Sequence, residues 1–325
     1  MARRALGPAA LQVARAVDAR LSTAGRVVLG VSGGADSMAL AAGAAWALER
    51  RTRAGEPVPE VAALIVDHGL QAGSDRVAAE VRERVQALGM DAGVRRVHVD
   101  PASGDGPEAA ARVARHAALA EAAGKGTIMV GHTLDDQAET VLLGLARGSG
   151  ARSLAGMRPV AGRLVRPLLG LRRATTRQAC EEWGLQVWED PHNLDPAFTR
   201  VRVRDRVLPL MARELGDEVI EALARTADLA RDDADALDAW ATDASATVAR
   251  GDDLDCDALV ALPAAVASRV VRHWLLGHGA QQPTAEQVGR VLALVRDWRG
   301  QGPVHLAGLH VARVEGALQA RGPLR

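Results

Sequence analysis

The sequence predicts an α/β fold, a parallel sheet with helices on both faces, followed by a smaller and mostly helical C-terminal domain. Three features predict it. Short apolar runs alternate with helical patterns through the first half, three polar clusters each follow such a run directly, and the second half changes to longer helical patterns. A length of 325 residues suits one domain of about 200 residues and another of about 100. The expected division is 1–214 and 215–325, with Gly216 as the break.

The elements follow in order. Met1–Leu21 reads as an amphipathic helix packing on the first domain, and it lacks the apolar stretch of a signal peptide. Arg26–Val31 is a strand that runs into SGGADS and an Ala-rich helix through Glu49. Val61–Val66 is a second strand and ends in DHGL. Asp75–Leu88 is a helix, Val94–Val99 a strand, Pro107–Ala123 a helix, Thr127–Val130 a strand and Leu134–Leu145 a helix. Strands joined by helical crossovers form a parallel sheet, and ligands bind such sheets at the carboxyl ends of the strands. SGGADS, DHGL and GHTLDDQ are therefore expected on one edge. Gly148–Gly156 is a loop, Leu171–Trp183 a helix, Glu189–Pro196 turn chemistry, and Phe198–Arg213 an Arg-rich helix. Asp217–Arg250 reads as a long acidic helix, Leu259–Leu276 and Thr284–Trp298 as helices, and Pro303–Ala320 as a small hairpin. Trp183 and Trp188 are expected in the core.

Composition excludes several classes. The chain is 48% hydrophobic, enough for a core, yet has no apolar run of about 18 residues. Its two cysteines, Cys180 and Cys256, are too far apart in sequence for a CxxC centre, and a cytoplasmic setting is expected. The 40 basic and 40 acidic residues cancel, but locally they separate. Residues 158–213 carry eleven Arg against six acids, 217–257 thirteen acids against three Arg, and 258–325 eight Arg against three acids. With no Tyr and one Phe, base-stacking platforms are nearly excluded.

VLGVSGGADSMAL carries the strongest chemistry. Gly33 and Gly34 permit a tight turn and close approach of a ligand. The following helix supplies free N–H groups and positive potential for phosphate oxygens, and Ser32 and Ser37 add hydroxyls. Ala35 belongs to the same loop and is expected at the phosphate site with them. There is no GxGxxG and no GxxxxGK[ST]. Asp36 would repel bare phosphate, so a cation, Mg²⁺, is expected between them. The alternative is an ordinary strand–helix turn.

Other residues keep two readings. Asp136 and Glu139 share a helix face and can hold a cation or ammonium and accept its proton, or can be a solvated face. Asp135 suits the helix N-terminus. His132 leaves a strand at the active edge, in either a chemical or a structural role. Arg112 and Arg115 lie one turn apart, with Glu108 four before Arg112, and suit a surface ion-pair group. Arg200 and Arg204 are four apart, a phosphate clamp or helix solubilisation. His68 follows Asp67 at the sheet edge.

SGGADS resembles the pyrophosphate loop of the Rossmann-like ATP pyrophosphatases. Gly131–Thr140 (GHTLDDQAET) with Arg147–Gly150 (RGSG) is similar to the signature of the tRNA(Ile)-lysidine synthase family, as are VDHGL at Val66–Leu70, Arg166–Leu169, and the stretch from Glu189 through Asn193 to Arg200 and Arg204. The resemblance covers roughly 26–213; the second domain agrees in size and helical character. It implies use of ATP and Mg²⁺ to adenylate the C2 oxygen of the wobble cytidine in a CAU-anticodon isoleucine tRNA. The side-chain amine of free L-lysine then displaces AMP. It further implies that His68 lines the ATP site, that Arg112 stabilises phosphate, and that the C-terminal domain contacts tRNA. His116 stands where the family's ARxxRY pattern has an aromatic. The alternatives are a cytidine thiolase with the same loop, which would use paired cysteines, and a non-catalytic nucleotide-binding protein.

Overall fold

The computed structural model describes residues 6–69, 73–98, 107–148, 150–190 and 195–322. Leu70, Ser149 and Asn193, and the side chain of Glu108, lie outside the described residues. The chain forms two compact units, Met1–Ala146 with Gly156–Ala227, and Arg147–Ala155 with Asp228–Arg325. No described helix is long and apolar enough to cross a membrane.

In the first unit, β1 (Arg26–Val31), β2 (Glu60–Asp67), β3 (Asp91–Arg96) and β4 (Thr127–Val130) pair in parallel. Short strands β5 (Val160–Ala161) and β6 (Leu164–Val165) extend the sheet, in the order β3-β2-β1-β4-β6-β5, with β5 antiparallel to β6. Gly30 of β1 lies opposite both Leu64 and Val130, so the carboxyl ends of the three central strands stand side by side. β3 begins at Asp91, earlier than the apolar run at Val94 suggests. Its register against β2, from Ala62 opposite Asp91 to Asp67 opposite Arg96, decides the pairing over local hydrophobicity.

Helices cover both faces. Beside α1 (Pro8–Asp18) lie α2 (Ala35–Ala54), α3 (Ser74–Ala87), α4 (Pro107–Ala123) and α5 (Leu134–Ala146). One core joins Val13, Val17, Leu29, Met38, Leu40 and Met129, and the opposite face gathers Val28, Leu119, Ile128 and Val130. Carried past Glu49, α2 presents Arg51 to Asp18 Oδ1 at 2.7 Å and to the carbonyls of Asp18, Leu21 and Ser22, which satisfies a buried guanidinium. It stops at Gly55, whose φ of +66° closes the left-handed cap.

The second unit begins with α6 (Ala151–Leu154), inside the stretch expected to be loop. Next in the first unit come α7 (Arg173–Glu182), α8 (Thr199–Arg202), a π-helical turn at Val203–Val207 and α9 (Leu208–Leu215). The single Arg-rich helix expected over 198–213 is thus interrupted. Pro209 has no N–H to donate back to Asp205, which favours a widened turn just before it.

The long acidic helix is α10 (Val219–Val248), which starts in the first unit. In the second unit α11 (Cys256–Ala261), α12 (Ala264–Gly277) and α13 (Ala285–Arg296) pack around Leu259, Val270, Leu275 and Val291. A capping box between Thr284 and Gln287 starts α13. The expected hairpin is β10 (Leu309–Val314) and β11 (Ala317–Arg321), and it belongs to a larger antiparallel sheet. With β7 (Ala249–Arg250), β8 (Asp253–Asp255) and β9 (Val304–Leu306) the order is β7-β8-β11-β10-β9. The strands β7 and β8 are too short to leave an alternating pattern in the sequence.

Candidate active site

The loop between β1 and α2 is held by its own side chains. Ser32 donates its N–H to Ser37 Oγ at 3.1 Å, and Ser37 Oγ donates to the Gly34 carbonyl at 2.9 Å. Gly33 has φ +88°, and a Cβ there would stand 2.4 Å from Val81, so only glycine fits. No side chain caps α2 at Gly34. The N-terminus of a twenty-residue helix is therefore open to an anion.

A cavity of about 740 Å³ opens on this loop, at the carboxyl ends of β1, β2 and β4. Of the residues singled out from sequence, Ser32, Gly34, Ala35, Asp36, Ser37, His68, His132, Asp136, Arg200 and Arg204 line it. Gly33 turns against Val81 instead, and Glu139 is fully buried outside the lining. Arg112 is exposed and does not line the cavity, whereas Arg115, one turn later on α4, does. Trp188, expected in the core, also lines the cavity, and its backbone N–H donates to the Gly33 carbonyl at 2.9 Å.

Three carboxylates and three guanidinium groups form one network. Arg173, the first residue of α7, places Nη2 2.9 Å from Asp136 Oδ1 and 3.0 Å from Glu139 Oε1, with Nε 3.5 Å from Asp36 Oδ2. Glu139 also takes Arg200 Nε at 2.7 Å and Arg204 Nε at 2.8 Å. The pair expected to meet tRNA phosphate is therefore turned inward, because a carboxylate with no solvent exposure requires partners. Asp136 further accepts the N–H and hydroxyl of Thr133, at 2.8 and 2.9 Å. Asp135 accepts the Arg173 N–H at 2.8 Å, so it caps α7 while its charge stays in the first turn of α5. Thr176 donates its hydroxyl to Asp36.

The electrostatics separate the two aspartates. Burial pushes the Asp36 carboxyl up to about 6, against the Thr176 hydrogen bond. Burial acts the same way on Asp136, but Arg173, the Thr133 N–H and Arg200 outweigh it and hold this carboxyl below its usual range. Burial also takes His132 down to about 3, with Asp136 opposing and Arg166, Arg115 and Arg200 adding to it. At the end of β2, burial lowers His68, aided by Arg115, and its Nδ1 is buried without a partner among the described residues. Asp67 fixes that turn by accepting the Gly69 N–H at 2.9 Å.

Comparison with known proteins gives this geometry a family. Residues 9–211 match the PP-loop domain family, and residues 254–319 match the TilS substrate binding domain. The tRNA(Ile)-lysidine synthase of Streptomyces coelicolor is 51% identical over 91% of this chain and 85% of its own length. The enzymes of that name from Leifsonia xyli subsp. xyli and Mycobacterium tuberculosis are 50% and 51% identical, over 90% and 92% of this chain and 88% and 89% of theirs. The chain belongs to the tRNA(Ile)-lysidine synthase family. Membership makes it a ligase-type enzyme that uses ATP through its pyrophosphate loop. Among solved structures, the U34-tRNA thiolase NcsA from Methanococcus maripaludis shares the fold, with a TM-score of 0.53 and 17% identity over 69% of this chain and 80% of its own.

Sequence reasoning about this lysidine synthase relative missed Arg173 and Thr176, and it named Arg115 and Gln137 without giving either a place in the site. Two arginines at the very start of a helix oppose its dipole, a local conflict that marks residues held by something else. Gln137 lies inside the matched signature and is structural. Buried, it clasps the Met157 backbone through Nε2 to the carbonyl at 3.0 Å and Oε1 from the N–H at 2.7 Å.

Proposed function

We propose that this enzyme converts the wobble cytidine of a CAU-anticodon isoleucine tRNA to lysidine. The C2 oxygen of the base attacks the α-phosphate of ATP and pyrophosphate leaves. The side-chain amine of L-lysine, having lost one proton, then attacks C2, and the C2–O bond breaks to release AMP. One observation carries the reading: a pyrophosphate-loop aspartate and a second, ionised aspartate share a cavity and a single guanidinium.

The division of labour follows from their environments. The Ser32–Ser37 loop and the open end of α2 suit the pyrophosphate. Asp36 would hold Mg²⁺ beside the phosphate oxygens. The residues fit, since the Asp36 carboxylate lines the cavity in the first turn of α2, beside the open loop, with Arg173 at 3.5 Å. Bound there, the ion supplies charge neutralisation for the departing pyrophosphate. Asp136 stays ionised and faces the cavity, which suits an ammonium that must be held and deprotonated. Glu139 fixes the guanidinium groups around Asp136 and acts as a positioning residue. His68 and Arg115 line the nucleotide side, and the C-terminal unit, with its match to a substrate binding domain, contacts the tRNA. Cys180 and Cys256 are both buried and free and lie in different units, so a thiolase chemistry with paired cysteines is not favoured.

The test is incorporation. With ATP, Mg²⁺ and radiolabelled lysine, label should enter a CAU-anticodon isoleucine tRNA and not the same tRNA with a GAU anticodon. Label-free tRNA alongside ATP-dependent AMP release would refute lysine as the second substrate.

A further inference from the structure

Arg166 is buried and carries two hydrogen bonds that fix it in place: Nη1 donates to the Arg158 carbonyl at 2.7 Å, and Nε donates to Nδ1 of His132 at 3.2 Å. The second bond is informative because a guanidinium has only donors. Nδ1 of His132 must therefore be the unprotonated nitrogen, and a neutral ring then carries its proton on Nε2. A protonated ring would turn N–H towards N–H and place two cations together. From the Arg166 side the ring is thus barred from accepting a second proton.

The surroundings agree. Three cationic groups stand near His132 from three elements, Arg166 after β6, Arg115 on α4 and Arg200 on α8, and one anion, Asp136 on α5, opposes them. His132 itself lines the cavity beside Asp136 and the nucleotide loop. Its one remaining polar group is the Nε2 hydrogen.

We infer that His132 serves as a fixed neutral hydrogen-bond donor to an oxygen of the adenylate, with Arg166 as the positioning residue that locks its tautomer, and that it takes no part in proton transfer. The inference rests on the proposed lysidine reading for the identity of that oxygen. The tautomer assignment does not depend on it. The proton lost by the attacking amine is left to Asp136. Second-sphere partners that fix the tautomer of a working histidine are a general device, and here the partner is a cation rather than the usual acceptor.

The experiment has a spectroscopic arm and a kinetic arm. In full-length protein with ¹⁵N-labelled histidine, the His132 signals are assigned by their loss in His132→Gln. Between pH 5 and 8 they should show protonated Nε2 and bare Nδ1, with no titration. In Arg166→Met the ring should begin to titrate or mix tautomers, and in Arg166→Lys it should recover a fixed Nε2-protonated form in part. The rate of tRNA adenylation should fall about 10- to 100-fold in His132→Ala, the worth of one hydrogen bond to a charged oxygen, with the KM for lysine unchanged. A wild-type ring that titrates in this range, or carries its proton on Nδ1, overturns the inference and leaves the lysidine reading standing. A fixed ring in an enzyme that forms no adenylated tRNA overturns that reading and leaves the tautomer assignment standing. A fixed ring with adenylation unchanged in His132→Ala overturns the donor role.

Discussion

Asp36 and Asp136 reach the same cation: Arg173 stands 3.5 Å from the first and 2.9 Å from the second. The two carboxylates belong to separate sequence motifs and separate helices, and a residue outside both motifs joins them. That guanidinium holds the side of the cavity at the Ser32–Ser37 loop in register with the side lined by Asp136.

Removing the joint should cost stability as well as activity. Arg173→Met leaves Asp136 with one fewer cation and Glu139, which has no solvent exposure, with two of its three. Breaking a buried ion network in this way costs on the order of 3 kcal/mol. Urea unfolding should show the loss, and Arg173→Met combined with Glu139→Gln should lose less than the two single changes summed. Strict additivity would mean that the groups do not act as a unit.

Asp36 should behave in the opposite sense. Its folded pKa is raised from 3.8 to about 6, so the folded state binds more protons in that window, and stability from this group declines as pH rises from about 4 through 6. Asp36→Asn relieves the strain of an ionised, buried carboxyl and should stabilise the protein at pH 7.5 by about 2 kcal/mol. Equal urea midpoints for the two proteins at pH 7.5 would contradict this.

His132 gives a slope of the other sign. With its folded pKa at about 3, against an ordinary 6.5, its neutral form contributes stability that is complete above 6.5 and is lost as pH falls towards 3. His132→Gln should flatten the acid side of the stability profile between pH 6.5 and 4. Urea midpoints at half-unit steps check this, and an unchanged acid slope would contradict it.

Salt dependence tests the inward turn of the helix arginines. Arg200 places Nε 2.7 Å from Glu139, so its charge is already matched. Arg200→Ala should leave the slope of log affinity for tRNA against log salt unchanged, whereas a free phosphate contact would lower it by about one ion. The same pairing predicts that Glu139→Gln weakens adenylation and lysine transfer together, because it releases Arg173, Arg200 and Arg204 at once. Rapid quench with and without lysine separates the two steps.

The sheet and its edge were legible because the strands are apolar, short and bounded by glycine-rich turns, so Ser32–Ser37, His68 and His132 could be placed together without coordinates. Asp136 and Glu139 were legible as a pair on one helix face. What they touch was not, because their partners come from α7, α8 and the π-helical turn after it, some 35 to 65 residues away in sequence. That Arg115 lines the cavity was hidden for a related reason. Arg112 and Arg115 lie on one helix, and only the packing of α4 on the sheet decides which meets the cavity. β3 was misplaced because register against β2 outweighed its own apolar pattern.

The central claim is that one cavity performs two steps, with Asp36 serving the first and Asp136 the second. Rapid-quench analysis of Asp36→Asn and Asp136→Asn, with ATP, Mg²⁺ and tRNA in the presence or absence of lysine, tests it most directly. Asp136→Asn should accumulate adenylated tRNA that lysine discharges slowly, while Asp36→Asn should form no adenylate at all. If both variants stop at the same step, or if Asp136→Asn discharges its adenylate at the wild-type rate, the two aspartates do not divide the reaction.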